Sequence, residues 1–136
     1  MKRKAKYRIV TIQREMLYVG DEMDHTLTLT AMEGEAVEYQ KGVAGEFVSR
    51  RSVGFHDRIK GSGPMQGYAV TTFEEGQVYS RYEGQRDAKN KTTTGTWKTY
   101  KGVGKLKNIK GQGTFKVSSG TKPDEYILEI DGDYEL

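Results

Sequence analysis

Residues 95–116 read GTWKTYKGVGKLKNIKGQGTFK. Two alternating, β-prone runs, Thr93–Tyr100 and Gly113–Val117, flank a stretch dense in glycine and lysine. Glycine at this density inside β patterning marks sharp corners or close backbone approaches, not a flexible linker. Outward from this stretch, strand alternation and turn punctuation recur along the whole chain, and helical periodicity is almost absent. That pattern predicts an all-β sandwich or barrel. Eight strands are expected: Lys6–Val19, His25–Glu33, Ala44–Ile59, Met65–Glu74, Gln77–Arg86, Thr92–Tyr100, Gly113–Ser118 and Glu125–Glu135. The third is long enough to need a bend, which Gly54 could supply. Val103–Lys110 does not alternate and is expected to form a helical turn. Pro64 and Pro123 fall between strands, where a missing N–H costs nothing.

The clearest local signal is the hairpin GYAVTTFEEGQVYSRYEG at 67–84. A two-residue Glu75-Gly76 turn fits the glycine requirement of a tight hairpin. It sets Phe73 opposite Val78, Thr71 opposite Ser80, Ala69 opposite Tyr82 and Gly67 opposite Gly84. This face is the more apolar and is assigned inward. Thr72, Val70 and Tyr68, opposite Tyr79, Arg81 and Glu83, then face outward. The same reasoning places Leu27, Leu29 and Ala31 inward in the second strand. Gly95, Trp97 and Thr99, then Phe115 and Val117, then Tyr126, Leu128 and Ile130 face inward in the last three. A ring of such positions around eight antiparallel strands encloses a space that is either filled or holds one small ligand.

At 136 residues the chain is expected to be one domain, 1–136, large enough for a core without disulfides or metal. It has no cysteine and two histidines, which rules out thiolate and histidine-rich metal sites; no metal and no cofactor is expected. The formal net charge is +3 and the pI about 9.0, a mild excess. The charge is uneven: MKRKAKYR is basic, 89–110 is lysine-rich, and 124–135 is acidic. If the first and last strands pair, Lys4, Lys6 and Arg8 meet Asp131, Asp133 and Glu135 across the seam. Nucleic acid is not an expected partner, because no recognition motif accompanies the lysines. No run approaches 18 apolar residues, so no membrane-spanning helix is expected. MKRKA lacks the apolar stretch of a signal peptide, which favours a cytoplasmic location.

The run 67–116, with HTLTLTAMEGEA at 25–36 and DGDYEL at 131–136, resembles the allene oxide cyclase-like barrel group, whose relatives include plant dirigent proteins and small bacterial cyclases. The resemblance implies an eight-stranded antiparallel up-and-down barrel with an apolar cavity open at one end, assembled as a homo-dimer or homo-trimer. Members cyclise or couple unstable, largely apolar intermediates. The plant cyclase carries a glutamate early in its first strand with an asparagine nearby. The corresponding Tyr7–Ile12 is YRIVTI, with Arg8 in the glutamate's place, so no catalytic residue carries over.

Candidate chemistry is sparse. His25, beside Asp24, and His56, beside Asp57, each have an imidazole able to act as general acid or base. Either could equally cap a strand edge. Arg81 and Glu83 share one strand face with Tyr79. Turned inward they would orient a polar ligand group; turned outward, the favoured reading, they form a surface pair. Phe73, Tyr82, Trp97 and Phe115 are the candidate ligand-binding aromatics, with simple core filling as the alternative. GVGKLKNIKGQG lacks the ending of a P-loop, and Gly61-Ser62-Gly63-Pro64 is a turn rather than a nucleophile elbow. The functional expectation is a barrel binding an apolar or lipid-like small molecule, capable of cofactor-independent cyclisation or isomerisation. The rival is a non-catalytic structural or protein-interaction barrel.

Overall fold

The alternating segments form strands that pair antiparallel with their sequence neighbours until the last meets the first. The computed structural model describes the backbone of residues 2–136 and the side chains of residues 4–136. The strands are β1 (Lys2–Tyr18), β2 (His25–Tyr39), β3 (Phe47–Ile59), β4 (Gly63–Phe73), β5 (Gly76–Asp87), β6 (Thr92–Gly104), β7 (Lys110–Ser119) and β8 (Glu125–Glu135). They follow chain order around a closed all-β barrel. No described segment is a helix, so none is long and apolar enough to cross a membrane as one.

Several strand ends differ from expectation. The second strand runs on to Tyr39 and the third begins at Phe47 rather than Ala44. The fourth begins at Gly63, which puts Pro64 just inside it, opposite Gln85. Proline is tolerated at such a strand start. Residues 105–108 make a short turn, with the Leu106 N–H donating to Val103 O and the Ile109 N–H to Leu106 O. Leu106 and Ile109 are buried by it.

The β4–β5 hairpin is correct in face and displaced by two in register. Phe73 pairs with Gly76 and Thr71 with Val78, so Glu74 and Glu75 are the turn. A two-residue slip preserves the inward set because side chains alternate with period two. Gly76 serves a close approach: a Cβ there would lie 2.1 Å from Val103 O on β6. Gly84 and Gly95 also pair directly across β5 and β6, and a Cβ on Gly95 would lie 2.0 Å from Glu83 O.

The β1–β8 seam closes the barrel over Lys2–Val10 and Glu125–Asp133. Lys4 meets Asp131 at 3.7 Å and Lys6 meets Glu129 at 3.9 Å. Lys6 thus departs from the expected partners, and so does Arg8, which reaches Glu35 at 2.5 Å and Glu125 at 3.0 Å. Asp133 is set opposite Lys2 and Glu135 opposite Lys110. The exposed pairs, Lys4–Asp131 and Arg8–Glu35, contribute about 0–1 kcal/mol each, whereas Glu125 is buried against Arg8. Met1 and the side chains of Lys2 and Arg3, part of the basic start, lie outside the described residues.

Four register shifts decide which residues face in, the first between Lys6 and Tyr7, where Val37 of β2 is the extra residue. Between Thr11 and Gln13 on β1, Ile12 is the extra residue. Between Phe47 and Ser49 on β3 it is Val48. Between Tyr79–Lys101 and Ser80–Thr99 it is Tyr100. Each shift reverses the alternation beyond it. Strand β2 itself is reversed relative to expectation: Thr26, Thr28, Thr30 and Met32 face the interior. Leu29 is 48% exposed. It sits on the outside opposite Phe55 of β3.

The two ends are unlike. At one, the 40–46 connection, the β4–β5 turn and the 105–109 turn are tied by backbone hydrogen bonds, Glu74 N to Glu46 O, Glu75 N to Ala44 O and Lys105 N to Glu75 O. Tyr39, Phe47, Phe73 and Tyr134 pack beneath them, with Phe47 and Phe73 edge-to-face at 6.3 Å. At the other end no such plug exists among the described residues, and the interior is hollow.

The Gly95 contact yields a stability test. Gly95→Ala should cost more than about 2 kcal/mol, because backbone rather than a movable side chain blocks the methyl. Thr96→Ala, on the exposed side of the same strand, should stay within about 0.5 kcal/mol. Chemical denaturation of the two variants checks this.

Candidate functional site

The hollow is a cavity of about 500 Å³, open at the unplugged end. Small side chains leave the room: Thr28, Thr30, Ser52, Ala69, Thr71 and Ser80 line it where the closed end has rings. Its two sides differ. Strands β6–β8 supply Trp97, Phe115, Val117, Leu128 and Ile130, an apolar wall. Strands β2–β5 supply hydroxyls together with Arg50, His56, Arg58, Tyr82 and Arg86.

Of the expected aromatics, Trp97, Tyr82 and Phe115 line the cavity. Trp97 stands edge-on to Tyr134 at 5.5 Å, and its Nε1–H donates to Thr114 O at 3.2 Å. Tyr82 stands edge-on to Phe115 at 5.7 Å. Its hydroxyl lies over two glycines, so a Cβ on Gly67 or Gly54 would come within 2.5 or 2.7 Å of it. Gly54 therefore makes room for Tyr82 inside a continuous β3. Burial pushes the Tyr82 phenol above its ordinary pKa. Phe73 is a correction: it belongs to the aromatic plug, 2% exposed and away from the cavity, because the inward position next to the β4–β5 turn lies at the closed end.

Arg81 and Glu83 take the favoured outward position. Val78, Ser80 and Tyr82 face in, so the alternate residues stand on the outer surface. His25 stands apart from the cavity lining, at the mouth, where Nδ1 meets Asp21 at 2.6 Å and Nε2 meets Asp57 at 2.7 Å. With a carboxylate on each ring nitrogen the imidazolium is favoured, and the hydrogen bond to Asp21 leads in raising its pKa above 6.5. The side chain ties the β1–β2 turn to β3.

His56 is the histidine inside. The Arg58 Nη2–H donates to His56 Nδ1 at 3.2 Å, since a guanidinium can only donate. That fixes the proton on Nε2, which donates to Thr30 Oγ1 at 3.2 Å. Burial first, then the charges of Arg58, Arg14 and Arg86, lower the His56 pKa to about 4. The imidazole is therefore neutral at pH 7.

The barrel superposes on solved structures of the same build. One is AbnU, an exo-specific intermolecular Diels-Alderase, matched over 99% of this chain and 98% of that one at 12% identity, with a TM-score of 0.57. Another is a protein of unknown function from the DUF3224 family of Shewanella oneidensis MR-1, matched over 100% and 98% at 13% identity, with a TM-score of 0.59. At such identities the likeness is one of fold. No family model and no curated protein matches the sequence.

The arginines of the cavity are not singled out by the sequence. The shift at Ile12 turns Arg14 inward, and the shift at Val48 sets Arg50 and Arg58 inward. Arg86 needs no shift: it follows Tyr82 and Gly84 on the inward side of β5, so the hairpin alternation carries its signal. Among the described residues no cluster of His, Asp and Glu could hold a metal ion.

The two histidines should titrate apart in an NMR pH series, His56 near 4 and His25 above 6.5. The linkage has opposite signs. Between 6.5 and 4 the unfolded chain binds a proton at His56 that the folded chain refuses, so stability falls as pH drops through this window. At His25 the folded chain holds the proton more tightly, so its contribution is present below 6.5 and lost as pH rises through the raised value. His56→Gln should flatten the acid limb of Tm against pH, and His25→Gln the other limb.

Proposed function

We propose that this barrel binds an apolar or lipid-like small molecule in its cavity and holds it in a reactive shape for cofactor-independent cyclisation or isomerisation. The observation that carries the reading is the cavity itself. At about 500 Å³ with an apolar wall and a limited set of convergent polar groups, it falls in the range of small-molecule sites. The fold shared with a Diels-Alderase supports ring formation, which rearranges bonds without net oxidation or reduction. The resemblance to allene oxide cyclase-like barrels points the same way. Catalysis of this kind comes from confinement: a dry wall excludes water and restricts the substrate to a near-reactive conformer. Tyr82 and the Thr30 hydroxyl, whose oxygen accepts from the neutral His56, both line the cavity and would donate hydrogen bonds to a developing oxyanion.

A second reading, a non-catalytic assembly barrel, is favoured by one observation. The outer surface of β2–β4 exposes Leu29, Val53, Phe55 and Tyr68, next to Tyr100. A second copy of this chain is the partner it would take, in the expected homo-dimer or homo-trimer.

Native mass spectrometry before and after organic extraction separates the two. A co-purifying mass lost on extraction is the expected outcome. Because Trp97 is the sole tryptophan and lines the cavity, its emission should change on refilling. A clean oligomer with no bound mass and no uptake of a hydrophobic fluorophore would leave the assembly reading in its place.

A further inference from the structure

None of the chain's 19 acidic residues lines the cavity, although Arg14, Arg50, Arg58 and Arg86 all do. The four are not equivalent. Arg14 is neutralised at the rim by Asp124, 2.5 Å away. Arg50 lies deeper, paired across the ladders with Gly34 and Thr71, and acts electrostatically on Tyr82. Arg58 and Arg86 have no carboxylate partner among the described residues. The Arg58 guanidinium donates to the neutral His56, and its Nε–H is buried with no acceptor at all. Burial, then Arg86, hold the Arg58 pKa below its ordinary value, so the two guanidinium groups feel each other.

Buried donors without acceptors are rare in folded proteins, and half-buried cations such as Arg58 and Arg86 set beside each other gain from a counter-charge. Here both occur at the mouth of a cavity whose far wall is apolar. We infer that the molecule this cavity takes is an amphipathic anion, with its oxyanion seated on Arg58 and Arg86 and its apolar body laid along Trp97, Phe115 and Leu128. The inference rests on the proposal that the cavity holds a small molecule, and names the class of that molecule. A carboxylate matches the planar fork of a guanidinium. It would supply the acceptor that the Arg58 Nε–H lacks and offset the repulsion between the two arginines. The Thr26, Thr28 and Thr30 hydroxyls line the adjacent strand and can serve the remaining oxygen lone pairs. A cavity lined by one sign of charge between low-dielectric walls also draws an anion in.

Two fluorophores of one skeleton test this: 1-anilinonaphthalene-8-sulfonate, and N-phenyl-1-naphthylamine, which lacks the sulfonate. In Arg58→Met and Arg86→Met the anionic probe should bind about tenfold more weakly than in the parent protein, and the neutral probe about equally. Equal losses for both probes, or none for either, would overturn the assignment while leaving a binding cavity. Failure of both probes to bind the parent protein would remove the cavity reading and this inference with it. Should either variant fail to fold, the parent protein decides alone. Decanoate should displace the neutral probe at lower concentration than decanol, against the order that hydrophobicity dictates. Decanol displacing first would overturn the proposal.

Discussion

The pairing of β8 with β1 is the constraint on which the rest of the structure depends. An open sheet of this sequence would leave two unpaired edges and expose its inner face to water. Closing it removes the edges and fixes the circumference, so the interior must then be filled by side chains or stay hollow. At one end Tyr7, Phe47, Phe73 and Tyr134 fill it, with Leu106 and Ile109 brought in from a turn. At the other, threonines, serines and an alanine on the inward positions are too short to meet across the axis. The cavity is thus a consequence of side-chain size at positions whose orientation closure has already decided.

Orientation is itself adjustable through single extra residues. Ile12 and Val48 each displace a strand by one position against a neighbour, and the residues beyond change sides. With unbroken alternation through Ile12, Gln13 and Glu15 would face the cavity in place of Arg14 and Met16. The electrostatic character of the interior therefore depends on two shifts as much as on composition. They also bear on the state of His56, which burial already disfavours as a cation. The positive charges of Arg58, Arg14 and Arg86 act in the same direction as that burial, so the imidazole stays neutral.

Strand existence, strand order and the inward face of the hairpin were legible in the sequence because they rest on period-two alternation and turn residues. Trp97, Tyr82 and Phe115 were reachable for the same reason. The face of β2 was not. The alternation of threonine and leucine in HTLTLT, 25–30, reads as apolar-in around a filled core. This interior is instead hollow and partly polar on that side, with Thr28 and Thr30 inward and Leu29 outward. Arg14, Arg50 and Arg58 escape a sequence reading because a one-residue shift leaves no compositional mark. His25 stands out as a lone imidazole beside Asp24, yet its partners are Asp21 and Asp57, the latter distant in sequence. The Gly76 signal was real and has a second cause: besides its positive φ beside the turn, Val103 on the next strand leaves no room for a Cβ.

The plugged end has a kinetic meaning. With one entrance among the described residues, any molecule taken up would have to leave the way it came, before a second could pass it. Two molecules meeting inside would be stacked along the axis in order of arrival. The first would present only its outward tip to the second. Orientation of the first occupant would then dictate which part of it is available to the second.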